Sequence, residues 1–316
     1  MNAPVTPVTD PPNAARVSVI VPTTCEAAKG ELLLRALEST LAQEGVAVEL
    51  LVVVNGAKFD ATLLRTLRAD SRIKNLYRED AHVSRARHAG LRVAGGEYFC
   101  FLDDDDELLP GALRTRVEAM AADPATDVVV TDGHMVQQTE QRVLRDNFAR
   151  EIRYDLGMSY LKRNWFASPS ATFRRASFDD AFFDIAHRNF EWTYLLMQLL
   201  AEHKRITIVD DITYRKHDNI PDSVSKSDAY RLAEPEVLRD ILTLPLDARL
   251  VAGLRRKLHS ALNSTAELRR LRGDLDGAFS VHVECLRAGG WRFAGNSRLL
   301  LYSWADRALK RWRKRP

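Results

Sequence analysis

The chain has 316 residues, a formal net charge of +3 and 46% hydrophobic residues, a composition typical of a soluble globular protein with about two domains. The near balance of basic and acidic residues gives no indication of nucleic-acid binding, and no apolar run reaches the ~18 residues that a membrane helix requires. Three cysteines, Cys25, Cys100 and Cys285, lie far apart and outside any Cys/His cluster, which predicts reduced thiols in a cytoplasmic protein. Segment 1–15 contains prolines but no apolar core, and it is predicted to be a disordered tail rather than a signal peptide.

Strands and helices alternate between residues 16 and 132. Short β-branched runs predict buried strands, and the apolar residues between them recur with helical spacing. The predicted strands are 17–21, 48–54, 73–77, 98–102 and 127–131, with Pro22 ending the first, and the predicted helices are 32–41, 63–67, 83–94 and one opened by Pro110. This alternation is typical of βαβ units and a parallel sheet. Because right-handed crossovers bring the carboxyl ends of parallel strands to one edge, we expect ligands to bind there.

The pattern changes after about residue 131. A polar hairpin is predicted over 137–145, a helix over 189–202 and one or two strands over 205–217. From about residue 227 the Leu- and Arg-rich segments are typical of helices. The predicted fold class is therefore α/β with a helical C-terminal extension.

An acidic run, Asp103–Glu107, directly follows the apolar strand at 98–102. Neighbouring carboxylates repel one another, and a divalent cation with a polyphosphate would relieve this repulsion. A solvated turn that caps the following helix is the alternative interpretation. A calcium-binding EF-hand is excluded, because position six of such a loop would be Leu108 rather than Gly and position twelve would be Arg114 rather than Glu.

Four segments resemble, in order and spacing, those of family 2 glycosyltransferases, which have the GT-A fold. They are VSVIVPTTCE from residue 17, ELLVVVNG from residue 49, ARHAG from residue 86 with GEY from residue 96, and FLDDDD from residue 101. The resemblance implies a Rossmann-like nucleotide-binding domain with a mostly parallel sheet. It also implies transfer of a sugar from a nucleoside diphosphate donor, with a UDP-sugar favoured and with Mn²⁺ or Mg²⁺ as the cofactor.

The resemblance also assigns roles to individual residues near the donor. Those assigned to the nucleotide sugar are Pro22, Thr23, Glu26, Asn55, Arg87, Asp103 and Asp104, and those assigned to the metal are Asp105, Asp103 and His217. Asp105 is the expected direct ligand. Many members carry Asp where this chain has Asn55, and an amide keeps an acceptor oxygen for the nucleoside. For Arg87, a salt bridge to the acidic run is the alternative.

Inverting transfer requires a general base that takes the proton of the acceptor hydroxyl. The family places this base before a Trp at the start of a helix, and the matching segment here is Phe190-Glu191-Trp192. This segment has Phe190 where the motif has a first acid, and Glu191 where the base is commonly Asp. A stabilising first-turn helix glutamate is the alternative for Glu191, and Asp184 is a reserve candidate for the base.

The segment YRKHDNIPDSVS, from residue 214, is expected to fold over the donor. Some family members have a histidine at the position of His217 that touches the metal or the diphosphate, although a lone histidine is more often structural. Arg215 and Lys216 could pair with phosphates in the same segment. Residues 168–174 are a weak candidate for the acceptor site.

The last 20 residues, 297–316, carry seven basic residues and one acid. Leu300, Trp304 and Leu309 or Trp312 can share one helical face. A basic amphipathic helix with aromatic residues is suited to an anionic membrane surface. A packing helix with a solvated basic end is the alternative.

The predicted organisation is a tail 1–15, a transferase domain 16–226 and a helical region 227–316. Within the transferase domain, 16–132 would bind the nucleotide sugar and 133–226 the acceptor. The predicted function is metal-dependent inverting transfer to a glycan or lipid-linked acceptor in cell-surface polysaccharide synthesis, at the inner face of the plasma membrane. A degenerate nucleotide-binding or scaffold protein is one alternative. A sugar nucleotidyltransferase is another, but the loop PTTCEAAKG lacks the glycines that cradle a triphosphate.

Overall fold

The computed structural model describes residues 14–137, 139–143, 148–218, 227–298, 301 and 305. The chain divides into two compact units at residues 220 and 221. The domain boundary that we predict at residue 226 and most of the predicted tail lie outside the described residues, so both stay predictions. Among the described residues, no helix combines the length and apolar character needed to cross a membrane.

In the described part of the first unit, nine strands form a central mixed sheet. Its strands are β1 (Arg16–Thr23), β2 (Ala47–Asn55), β3 (Ile73–Arg78), β4 (Tyr98–Phe101), β5 (Glu107–Leu108), β6 (Val128–Val136), β7 (Glu140–Arg142), β8 (Ala171–Arg174) and β9 (Ile206–His217). They lie in the order β3-β2-β1-β4-β8-β6-β9-β5, and β7 pairs with β6. Strands β1 to β4 pair in parallel, and β8 lies antiparallel between β4 and β6. The predicted α/β class with a mostly parallel sheet is confirmed.

Ten α-helices lie in the described residues. Those of the first unit are α1 (Gly30–Leu41), α2 (Ala61–Ala69), α3 (Val83–Val93), α4 (Ala112–Ala122), α5 (Phe148–Tyr154), α6 (Leu156–Lys162) and α7 (Glu191–Ala201). The second unit contains α8 (Asp228–Ile241), α9 (Ala248–Leu271) and α10 (Leu275–Arg287). The predicted helical C-terminal extension is therefore present.

Close packing of α3 against the sheet positions one wall of the candidate site. Gly90 faces β1 and β2 so closely that a Cβ atom there would lie 2.5 Å from Ile20 Cγ2 and 3.1 Å from Val53 Cγ2. Since α3 follows a parallel strand, its first turns lie at the carboxyl edge of the sheet. The glycine of the ARHAG segment thus allows α3 to bring Arg87 to that edge.

Several predicted boundaries are wrong. Strand β1 continues through Pro22 to Thr23; its ladder with β4 stops at Ile20, so near the proline it is paired on one side, where a missing N–H is tolerated. Pro110 precedes the helix instead of opening it, because Gly111 is its left-handed N-cap. Helix α7 starts at Glu191, since Phe190 is also left-handed, with φ 58°.

Candidate active site

The site lies at the carboxyl edge of β1, β2 and β4. Thr23, the last residue of β1, donates its hydroxyl hydrogen to Asp104 Oδ2 over 2.6 Å. Its Oγ1 also accepts from the backbone N–H of Cys25 at 2.9 Å. The end of the first strand is thus connected directly to the acidic run that follows β4.

The predicted nucleoside residues differ in exposure. Pro22 and Asn55 are buried at the ends of β1 and β2. Glu26 is exposed and forms the N-cap of a short 3-10 turn at 27–29. The sheet brings all three to one edge, and their contacts with a nucleotide stay a prediction.

Arg87 joins two parts of the site that are far apart in sequence. Its Nη2 donates to Asp103 Oδ1 at 2.6 Å, and its Nη1 donates to Glu191 Oε1 at 2.9 Å. The guanidinium lies over the Trp192 ring, 5.2 Å from the ring centroid. The salt bridge between Arg87 and the acidic run, our alternative for this residue, is present, and the predicted base Glu191 belongs to the same cluster.

The four aspartates differ in their affinity for a proton. Burial opposes ionisation of Asp103, but the charges of Arg87 and Lys216 hold its pKa below the ordinary value. Burial and the charges of Asp103 and Asp104 raise the pKa of Asp105 to about 6. Burial also raises the pKa of Asp104, and it raises that of Asp106 well above the usual range.

This cluster fits a divalent cation. The buried Oδ2 of Asp106 has no hydrogen-bond partner among the described residues. Burial and the neighbouring carboxylates raise the pKa of Asp105 although Lys29 and Lys216 lie close enough to oppose the rise. Within the same residues, no three His, Cys, Asp or Glu side chains converge as a protein ligand set. Mg²⁺ and Mn²⁺ sites that include substrate phosphates need only one or two carboxylates from the protein. Asp103 and Asp105 are the residues that would hold such a cation.

His217 lies next to the acidic run at the end of β9. Its backbone N–H donates to Asp106 Oδ1 at 3.0 Å, and its ring Nε2 is hydrogen-bonded to Glu107 Oε1 at 2.7 Å. Arg35 also pairs with Glu107, at 3.0 Å. The His217 ring is thus anchored by a carboxylate, and its role as a metal ligand stays a prediction.

A small pocket opens beside the Arg87–Glu191 pair. Besides these two residues it is lined by Ser84, Phe101, Phe183, Ile185, Trp192 and Leu195. Glu191 therefore has apolar neighbours in this pocket together with the guanidinium of Arg87. The reserve base Asp184 is 65% exposed and lies 3.5 Å from His88 Nδ1.

The sequence interpretation missed Arg116, which is fully buried in α4. Its Nη2 donates to the Pro169 carbonyl at 2.5 Å and to Thr213 Oγ1 at 2.7 Å. It thereby connects the predicted acceptor segment 168–174 to β9. Its helical spacing with the buried Leu113 and Met120 is a signal that could have indicated an inward-facing arginine.

Comparison with known proteins identifies the family and the architecture. Residues 18–183, slightly more than half of the chain, match the family model Glycosyl transferase family 2. The chain therefore belongs to this family. The resemblance to family 2 glycosyltransferases that the four segments suggested is confirmed.

Curated relatives share shorter stretches. The succinoglycan biosynthesis protein ExoO of Rhizobium meliloti is 37% identical over 117 residues, which is 36% of this chain and 33% of that protein. An uncharacterized glycosyltransferase of Rickettsia typhi, RT0329, is 24% identical over 202 residues, or 64% of this chain and 56% of that protein. The chain thus spans between a third and somewhat more than half of these relatives.

Among solved structures, residues 1–349 of Staphylococcus aureus TarS in complex with UDP-GlcNAc superpose with a TM-score of 0.59 at 19% identity. The superposition covers 92% of this chain and 87% of that one. At this identity the similarity establishes the fold. The predicted GT-A architecture is confirmed.

Proposed function

We propose that the chain is a metal-dependent, inverting glycosyltransferase that moves a sugar from a UDP-sugar to a glycan or lipid-linked acceptor. The observation that carries the proposal is the position of Glu191, which shares one guanidinium with Asp103 although the two acids lie on separate elements. Through Arg87, the candidate base Glu191 is therefore linked to Asp103, one of the two acids proposed to hold the cation. An acceptor in the small pocket would lie next to that base.

The bound cation would supply positive charge for the departing diphosphate. Asp103 and Asp105 are the residues that would hold it. Glu191 takes the proton of the acceptor hydroxyl, whose oxygen then bonds to the anomeric carbon as the bond from that carbon to the diphosphate oxygen breaks. Lys216 faces the acidic cluster closely enough for Asp106, Asp103 and Asp105 to raise its pKa despite burial, and it is a candidate partner for a phosphate.

Two of the similar proteins support the proposed donor nucleotide and the proposed class of product. The TarS structure contains UDP-GlcNAc, which favours UDP as the carrier of the sugar here. ExoO is named for succinoglycan biosynthesis, which favours a polysaccharide as the product. Both assignments are proposals for this chain.

A panel of nucleotide sugars tests the donor. Thermal shift of the full chain is measured with UDP-, GDP-, dTDP- and CMP-sugars, with and without Mn²⁺. We expect stabilisation by a UDP-sugar that requires the cation, because ligand binding to the native state raises its stability. Stabilisation by a different nucleotide would refute the UDP assignment, and donor turnover undiminished in excess chelator would refute the cation requirement.

A second experiment tests the base. Glu191→Gln keeps the shape of the side chain but cannot accept a proton, so we expect turnover to fall at least about 100-fold while donor binding persists. Asp184→Asn is the matched control, since Asp184 is another acid, 65% exposed, that pairs with His88. Loss of activity in Asp184→Asn with full activity in Glu191→Gln would show that Asp184 is the base.

A further inference from the structure

Arg87 makes two charged contacts with two acids of different predicted function. Asp103 follows β4 and lies 16 positions from Arg87, whereas Glu191 opens α7 and lies 104 positions away. Each acid is bound by a different Nη atom of the same guanidinium. The planar fork of arginine suits such a double contact, and the point charge of a lysine could not reproduce it.

The position of Arg87 is determined on several sides. Its side chain is only 8% exposed, and Trp192 packs against its guanidinium plane. Helix α3 is held to the sheet at Gly90, and Ser84, one turn before Arg87, donates to the carbonyl of His187 at 2.8 Å. The same helix therefore also holds the loop that leads into α7.

We propose that Arg87 is a positioning residue that orients Glu191 toward the carboxyl edge of the sheet, where the donor is proposed to bind, and that it competes with the divalent cation for Asp103. This inference rests on the proposed function, in which Glu191 is the base and Asp103 holds the cation. In this proposal Arg87 connects Asp103 to Glu191 and does not bind the donor directly.

The competition follows from charge. In the chain as described, Oδ1 of Asp103 accepts a hydrogen bond from a cationic side chain. A divalent cation that uses Asp103 meets the positive charge of Arg87 nearby, and like charges at such short range repel. Removing Arg87 should therefore free Asp103 and strengthen cation binding, while it releases Glu191 from its orientation and slows transfer.

The experiment measures two quantities on the full chain: binding of Mn²⁺ at saturating UDP, followed by electron paramagnetic resonance, and turnover with a UDP-sugar. The variants are Arg87→Gln, Arg87→Lys, Glu191→Gln and the double variant R87Q/E191Q. Arg85→Gln is the matched control, because Arg85 lies two residues earlier on the same helix, is 57% exposed and pairs with Asp80 instead.

We expect Arg87→Gln to bind Mn²⁺ about three- to tenfold more tightly and to turn over at least about 100-fold more slowly, the scale of a misplaced catalytic group. Glu191→Gln should lose turnover with unchanged Mn²⁺ affinity, and the double variant should be no slower than Glu191→Gln alone. Arg85→Gln should change neither quantity.

Arg87→Lys keeps one positive charge. It still tests the proposal if Arg87→Gln fails to fold. Since a lysine reaches only one acid at a time, we expect its turnover to fall at least about tenfold with a near-native melting temperature. Full turnover in Arg87→Lys, or weaker Mn²⁺ binding in a folded Arg87→Gln, would overturn the inference alone. Full turnover in Glu191→Gln would instead refute the proposed base and the inference with it.

Discussion

Four consecutive aspartates have four different surroundings at the end of β4. Asp103 pairs with Arg87, Asp104 accepts the hydroxyl hydrogen of Thr23, and Asp106 accepts the backbone N–H of His217. Asp105 is the acid whose pKa is raised to about 6 by burial and by its neighbours. Identical side chains in one run thus differ because separate elements approach each of them.

Asp105→Asn should stabilise the cation-free protein at neutral pH. The native pKa of about 6 lies above the ~3.9 of an unfolded aspartate, so the native state binds the proton more tightly and stability falls as pH rises from about 4 to 6. Above pH 6 the charged side chain costs stability that asparagine avoids. We expect a melting temperature about 2–4 °C higher at pH 7.5, with the difference shrinking toward pH 4, and complete loss of transfer.

Calorimetry in chelator across this pH range measures the effect. Asp80→Asn is a suitable control, because Asp80 lies on the surface and its pKa is lowered by its hydrogen bond to Arg78. A lower melting temperature of Asp105→Asn at pH 7.5 would contradict the assignment of uncompensated negative charge to this position.

Thr23→Val should destabilise the first unit. The Thr23 hydroxyl is a donor to the buried Asp104 carboxylate, and removing a hydrogen bond to a buried charged group costs about 1.5–3 kcal/mol. Urea denaturation measures the change in the free energy of unfolding. Thr23→Ser retains the hydroxyl and should recover most of the loss; equal destabilisation by both substitutions would show that the methyl group matters instead.

At the scale of elements, α3 is the helix on which the site depends. It carries Arg87 toward two acids, packs on β1 and β2 at Gly90, and is tied through Ser84 to the loop before α7. Strand β8 has a comparable role on the other side, where it lies antiparallel between β4 and β6. These two elements connect the carboxyl edge of β1, β2 and β4 to the predicted acceptor half, residues 133–226.

Gly90→Ala should move α3 away from the sheet. The added Cβ would lie 2.5 Å from Ile20 Cγ2, and overpacking of this kind costs about 1–3 kcal/mol. We expect a lower melting temperature together with reduced turnover, because Arg87 moves with the helix. Gly295→Ala is the control, since a Cβ there meets no atom within 4 Å. Equal effects of both substitutions would refute the close-packing explanation.

At the scale of the whole molecule, the second unit provides the helices that lead to the basic C-terminal segment. Most of that segment lies outside the described residues, which include Ser297, Arg298, Leu301 and Ala305. Ser297 Oγ is hydrogen-bonded to Nε2 of the buried His282 at 2.7 Å. The segment beyond Arg298 is therefore the part to remove without disturbing α10.

Removing residues 299–316 should weaken binding to anionic vesicles more than it weakens transfer to a soluble acceptor. Six basic residues lie between 307 and 315, and each contributes about 1 kcal/mol near an anionic surface. Since salt screens this attraction, sedimentation with vesicles is measured at low and high ionic strength. A full-length variant with these six residues changed to glutamine is the matched control. Equal vesicle binding by all three proteins would identify the segment as a packing helix.

The sequence by itself determined the alternation of strands and helices, because periodicity and turn residues act locally. It also placed the acidic run after a buried strand and therefore at the carboxyl edge of the sheet. It also identified Glu191 and Arg87 as candidates, each from a short segment. The tertiary structure decided what these residues contact. Arg87 reaches Glu191 across 104 positions, β8 enters the sheet although its four residues carry little periodic signal, and Asp105 differs from Asp103 because burial and neighbouring charge are non-local properties.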